Sequence, residues 1–147
     1  MVLASLTLGT VLFAQRGFGR FRDEEDAPMP ADAHEKTEWA FGRLMYSSGG
    51  GRRWGRGSWS TDYPKADRQF VQGVRRLTRL HTKSIEQVVS IDKDDDLFNT
   101  PWIYAVEVGY WAIDDAQAKR LREYLLRGGF LMTDDFHGTE QWESFHE

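Results

Sequence analysis

The sequence predicts an α/β domain built on a mainly parallel sheet with helices on both faces, and three observations carry that reading. The run 102–108 is apolar except for Glu107 and lacks polar alternation, as a strand buried on both faces requires. Two stretches, 64–80 and 114–126, place apolar residues at helical spacing. Strand-like and helix-like segments alternate along the chain, the order that gives parallel strands joined by right-handed crossovers.

Bulk composition sets the outer bounds. The chain has 147 residues, of which 40% are hydrophobic and 14% aromatic, enough apolar material for one folded domain. A formal net charge of -4 argues against a general nucleic-acid binder, which would carry a basic face. The chain has no cysteine, so a thiol nucleophile, disulfides, cysteine-ligated zinc and iron–sulfur clusters are excluded. No histidines stand at metal-ligand spacing, and no cofactor or metal is implied.

Residues 1–14 carry no charge and are too few to span a bilayer, which needs about 20. They match the apolar core of a secretory signal, so we expect export to the periplasm or envelope, with any membrane association indirect. Residues 15–37 hold Gly17, Gly19, the acids Asp23, Glu24, Glu25 and Asp26, then Pro28 and Pro30, and predict a solvated linker. The folded domain is expected over 38–147.

Within it, Trp39, Phe41, Leu44 and Tyr46 mark a first strand. A glycine- and arginine-rich loop over 49–60 follows, then a helix over 64–80. Phe70, Val74 and Leu77 are its expected inward stripe, with Arg68, Gln72, Arg75 and Arg79 opposite. A short β-branched strand is expected over 87–91 and the buried strand over 102–108. In the next helix Asp114 and Gln117 form a capping-box pattern, Ala118, Leu121 and Leu125 the inward stripe, and Gly128 the left-handed end. A fourth strand over 129–133 delivers Asp134, Asp135 and His137, and a helix opens at Gly138 and Thr139, with Trp142 and Phe145 expected on its exposed side. Ending two turns into that helix, the domain reads as truncated at its C-terminus.

In such a sheet ligands bind outside the carboxyl ends of the strands, where strand order reverses. The candidate ligand-binding residues therefore come from four segments. The Gly/Arg loop supplies Arg52, Arg53 and Arg56 for an anion, and Trp54 and Trp59 for stacking on a sugar or base. It fits neither a P-loop nor a dinucleotide fingerprint. Asp62, Glu107 with Tyr110, and Asp134, Asp135 with His137 complete the set. Glu107, in an apolar run, needs a partner, and Arg43 or Arg52 would serve. Aspartates at strand ends also cap turns, a purely structural role.

The block Arg53-Trp54-Gly55-Arg56-Gly57 with Trp59-Ser60-Thr61-Asp62-Tyr63-Pro64, the block 121–131, and Asp134-Asp135-Phe136 resemble a bacterial family known as domain of unknown function 4159. The resemblance covers about 38–147 and implies no activity. It implies a flavodoxin-like sheet similar to the class I glutamine-amidotransferase and trehalose-utilisation superfamily, in envelope-associated proteins. Amidotransferases of that fold use a cysteine nucleophile at a strand-to-helix elbow, and here the third strand ends in Glu107-Val108-Gly109-Tyr110. Amidotransferase chemistry is therefore excluded. Three functions stay open: a module binding an anionic or sugar-like ligand or a partner protein, a hydrolase of envelope glycans or esters using carboxylate and histidine acid–base groups, and a structural domain of a larger membrane assembly.

Overall fold

The computed structural model describes residues 29–48, 59–92 and 96–146. They form a four-stranded, all-parallel sheet in the order β2-β1-β3-β4, with β1 at Gly42–Met45, β2 at Gln87–Ser90, β3 at Trp102–Val106 and β4 at Phe130–Asp134. Helix α1 (Lys65–Leu77) joins β1 to β2, and α2 (Asp96–Asn99), a single turn the sequence did not announce, precedes β3. Helix α3 (Asp115–Leu126) joins β3 to β4, and α4 (Gly138–His146) follows β4. The signal and most of the linker expected over 1–37 lie outside the described residues.

Register assigns the two faces. Arg43 of β1 is level with Tyr104 of β3, itself level with Met132 of β4, so these three share the face that also carries Phe41 and Trp102. Gly42 pairs with Ile103, and the opposite face carries Leu44, Val89, Ile103 and Ala105, all fully buried. That second face packs on Leu121 and Tyr124 of α3 and on Leu97 of α2. The first face meets α1 through an aromatic cluster in which Phe70 lies 5.5 Å from Phe41 and 5.3 Å from Trp102. The β1-to-β2 and β3-to-β4 connections run in opposite directions and use opposite faces, as right-handed crossovers demand.

Helix α1 departs from the expected stripe. Val71 is fully buried, whereas Phe70 is 41% and Leu77 88% exposed. The inward residues are Asp67 and Val71, because the Asp67 carboxylate accepts from both Nε and Nη2 of Arg43 on β1. Both partners are buried, so the ion pair fixes which side of α1 faces the sheet. Burial pushes the Asp67 carboxyl up, while the adjacent guanidinium pulls it back toward the charged form. The helix also stops earlier than expected, since Thr78 is extended and its hydroxyl donates to the Val74 carbonyl at 2.8 Å.

Helix α3 follows its local grammar. Asp114 accepts from the Gln117 backbone at 2.8 Å, and the Gln117 side chain accepts from the Asp114 N–H at 3.0 Å. Its exit needs two glycines: Gly128 has φ +95°, and a Cβ on Gly129 would overlap the Tyr124 ring. The buried positions are Gln117, Leu121 and Tyr124. Of the expected stripe, only Leu121 enters the core, while Ala118 and Leu125 border an open cavity of about 740 Å³ between α3 and α4.

Asp67→Asn is expected to destabilise the fold by about 3–5 kcal/mol in urea denaturation, because it strands the Arg43 charge in the interior. Combining Arg43→Met with Asp67→Leu should recover most of that loss. If the single variant costs under about 1 kcal/mol, the pair does not hold α1.

Candidate functional site

Strand order reverses between β1 and β3, so the crevice at their carboxyl ends is the place to look. At the tip of β3 the backbone N–H of Glu107 still donates to the Asp134 carbonyl at 3.0 Å, extending the ladder by one residue. Glu107 then turns left-handed, at φ 51° and ψ 40°, and opens a 3-10 turn over Val108–Tyr110. A glutamate held there costs of order 1 kcal/mol, a strain that surrounding contacts must maintain. Thr61 supplies one such contact, donating from Oγ1 to Glu107 Oε2 at 3.1 Å. Tyr46, at the end of β1, supplies another: its hydroxyl lies 2.5 Å from the Val106 carbonyl and 3.2 Å from that of Glu107. Burial, and then the Glu107 charge, push the Tyr46 phenol far above its ordinary range, so it stays a neutral donor.

The chain on either side of residues 49–58 is pinned to this edge. Ser48 bridges antiparallel to Trp111, and the Ser47 carbonyl accepts from Ala112 at 2.7 Å. On the returning side the Trp59 carbonyl accepts from Arg43 Nη1 at 3.4 Å, and the Trp59 ring lies 5.7 Å from Tyr63. Arg52, Arg53, Trp54 and Arg56 themselves lie outside the described residues.

The remaining sequence candidates fall in the same turns with different surroundings. Asp62 is exposed, at φ 58°, and its carbonyl accepts from Ala66 in the first turn of α1. Asp134 Oδ1 accepts from the Asp135 N–H at 2.8 Å, the turn-capping role, and Oδ2 lies 3.5 Å from the Tyr104 hydroxyl. Asp135 is exposed at φ 56°. Tyr110 and His137 are both engaged by Gln141 of α4, whose Nε2 donates to the Tyr110 hydroxyl at 2.7 Å and whose Oε1 accepts from the His137 backbone at 2.6 Å. Gly109 allows this clamp, since a Cβ there would sit 2.5 Å from Gln141 Cβ.

Of the two arginines expected as partners for Glu107, Arg43 is engaged by Asp67 and Arg52 lies outside the described residues, while Thr61 hydrogen-bonds the glutamate. Glu107 is also half-buried beyond the strand rather than inside it. Three contributors escaped the sequence reading, namely Thr61, Tyr46 and Gln141. A threonine four residues before the helix and a tyrosine ending a strand carry no spacing signal, and only the tertiary structure pairs them with Glu107. Among the described residues no group of three His, Asp or Glu side chains is placed to hold a metal ion.

With this geometry in view, residues 40–147 match the family described as Domain of unknown function (DUF4159), and the chain belongs to it. No curated protein matches the chain. No helix among the described residues is long and apolar enough to cross a membrane.

Glu107→Val should lower stability by about 1–2 kcal/mol, because a β-branched residue is poorly tolerated at positive φ. Glu107→Gly, which accepts that backbone, should cost less than half as much in the same urea titration. Equal losses would mean that the left-handed turn is not strained.

Proposed function

We propose that this domain is an exported, envelope-associated binding module whose crevice between the carboxyl ends of β1 and β3 holds a sugar-like ligand. The observation that carries this reading is Glu107, kept left-handed at the strand tip on the point of strand reversal and oriented by Thr61. Strain maintained at such a point is characteristic of ligand sites rather than of ordinary turns. The described rim supplies acceptors through Asp62, Glu107 and Asp134, which suits hydroxyl donors, and the half-buried rings of Trp59 and Tyr63 suit a sugar face. In sequence Arg52, Arg53 and Arg56 lie between the two pinned ends, and they would meet an anionic substituent. An elbow-like strand tip also supports the likeness to the amidotransferase-type fold, with a carboxylate standing where that chemistry needs a thiol.

The test is a thermal-shift screen of the full chain against neutral and acidic oligosaccharides and small carboxylates, with product formation followed in parallel. At least one saccharide is expected to raise Tm without turnover. Glu107→Gln should weaken that ligand about tenfold or more, the scale of a charge-assisted hydrogen bond of about 1.5–3 kcal/mol, with little change in the ligand-free Tm. Turnover abolished by Asp134→Asn would replace this reading with the hydrolase, and the absence of any stabilising ligand would leave the structural-domain reading.

Export is tested separately. Residues 1–30 fused to a reporter active only outside the cytoplasm should give signal, with the mature chain lacking about its first fourteen residues. Cytoplasmic accumulation of the uncleaved chain would overturn it.

A further inference from the structure

A second cavity lies on the α1 face of the sheet and shares Asp134 with the rim of the crevice. A pocket of about 110 Å³ sits between the first turns of α1 and strands β1, β3 and β4, bordered by Phe41, Asp67, Phe70, Tyr104, Met132 and Asp134. Neither Glu107 nor Thr61 borders it. We propose that this pocket binds a primary alkylammonium group, with Asp134 supplying the counter-charge and Phe41, Phe70 and Tyr104 the aromatic walls.

Charge selects the ligand. Two carboxylates border the pocket, but Asp67 is already paired with Arg43, which binds both of its oxygens. Asp134 forms no ion pair among the described residues, and its Oδ2 meets only the Tyr104 hydroxyl, at a long 3.5 Å. Carboxylate and phenol thus sit at one mouth without satisfying each other, leaving acceptor capacity for a donor-only guest. Burial, followed by the Asp134 charge, pushes the Tyr104 phenol up to about 12, so it stays neutral and its oxygen accepts as well as donates.

Shape and polarity narrow the guest further. The rings of Phe41 and Phe70 lie 5.5 Å apart, and those of Phe41 and Tyr104 5.7 Å apart, so an entering stem meets apolar and π surface. Aromatic faces attract a cation and gain nothing from an anion, which Asp134 would also repel. A divalent metal is disfavoured because it requires several oxygen ligands, and among the described residues no group of three His, Asp or Glu side chains is placed to supply them. An ammonium is a compact point charge with three donors, which suits a small pocket with one carboxylate better than a planar guanidinium.

The experiment uses the full chain with ¹³C-methyl methionine, reading the Met132 methyl, which borders the pocket. Adding n-butylammonium chloride should shift that signal saturably, with millimolar affinity appropriate to a five-atom ligand. The neutral isostere n-butanol should bind at least tenfold more weakly, and sodium chloride at matched ionic strength should produce no saturable shift. Asp134→Asn should weaken n-butylammonium at least tenfold, and Tyr104→Phe severalfold. Because Asp134 is exposed, its variant is expected to fold, and the undisturbed Met132 signal checks this. A missing shift, equal response to n-butanol, or unchanged affinity in Asp134→Asn would overturn the proposal. Saccharide binding at the crevice is read by a different ligand and by Glu107→Gln, at a residue that does not border the pocket, so either site can fail while the other stands.

Discussion

The buried pair of Arg43 and Asp67 is the constraint from which the α1 half of the structure follows. A guanidinium in the middle of a central strand, with no access to water, must have its charge and its N–H donors met by protein. Asp67 meets most of that demand and the Trp59 carbonyl part of it, while the ring of Tyr104 lies 4.8 Å from the guanidinium carbon. One residue of β1 therefore ties together the helix that follows it, the return of the loop and the neighbouring strand. Replacing the pair by well-packed apolar groups need not cost stability, but it would free α1 to rotate, so the pair specifies an arrangement more than it strengthens one.

That constraint explains why periodicity alone assigns α1 the wrong inward face. Phe70, Val74 and Leu77 form a respectable apolar stripe, yet the helix turns so that a carboxylate faces inward and Phe70 slides to the flank, where it closes an aromatic cluster with Phe41 and Trp102. No hydrophobicity pattern assigns an aspartate to the core; only its partner on β1 does. Where local rules are sufficient, the reading survives intact. The Asp114 cap, the Gln117 return bond and the Gly128 exit are all governed within a few residues, and all are present. The parallel sheet was legible for the same reason, since alternating elements and an unbroken apolar run are properties of segments.

The candidate edge was legible at the level of topology and not of contacts. Strand alternation alone places the turns after β3 and β4 on one side. Which atoms then meet depends on the Glu107 backbone reversing its hand, on Thr61 approaching from the far side of the loop, and on Gln141 reaching back from α4. Each is a contact between residues distant in sequence, made by polar side chains whose types carry no periodic signal. Of the two arginines that charge complementarity offered to Glu107, Arg43 is engaged by a carboxylate on α1, a pairing that no sequence pattern announces, and Arg52 lies outside the described residues.

The distribution of left-handed residues separates the edge from the rest of the described fold. Where α3 ends, at the amino side of the sheet, the chain needs positive φ and supplies it with Gly128, at no steric cost. At the carboxyl side Gly138 does the same before α4, but three further left-handed positions are held by acids: Asp62 before α1, Glu107 after β3 and Asp135 after β4. Aspartate tolerates that region better than most residues, so Asp62 and Asp135 are mild cases. Glutamate lacks the short side chain that compensates locally, which makes Glu107 the costly one. Glycine would satisfy the backbone at Glu107 without strain, so backbone conformation does not account for its identity. Its carboxylate is instead fixed by Thr61 and its carbonyl by Tyr46, contacts that orient a charged group at the point of strand reversal. This asymmetry is what directs the proposed binding role to Glu107 rather than to the more conspicuous Asp134–Asp135 pair.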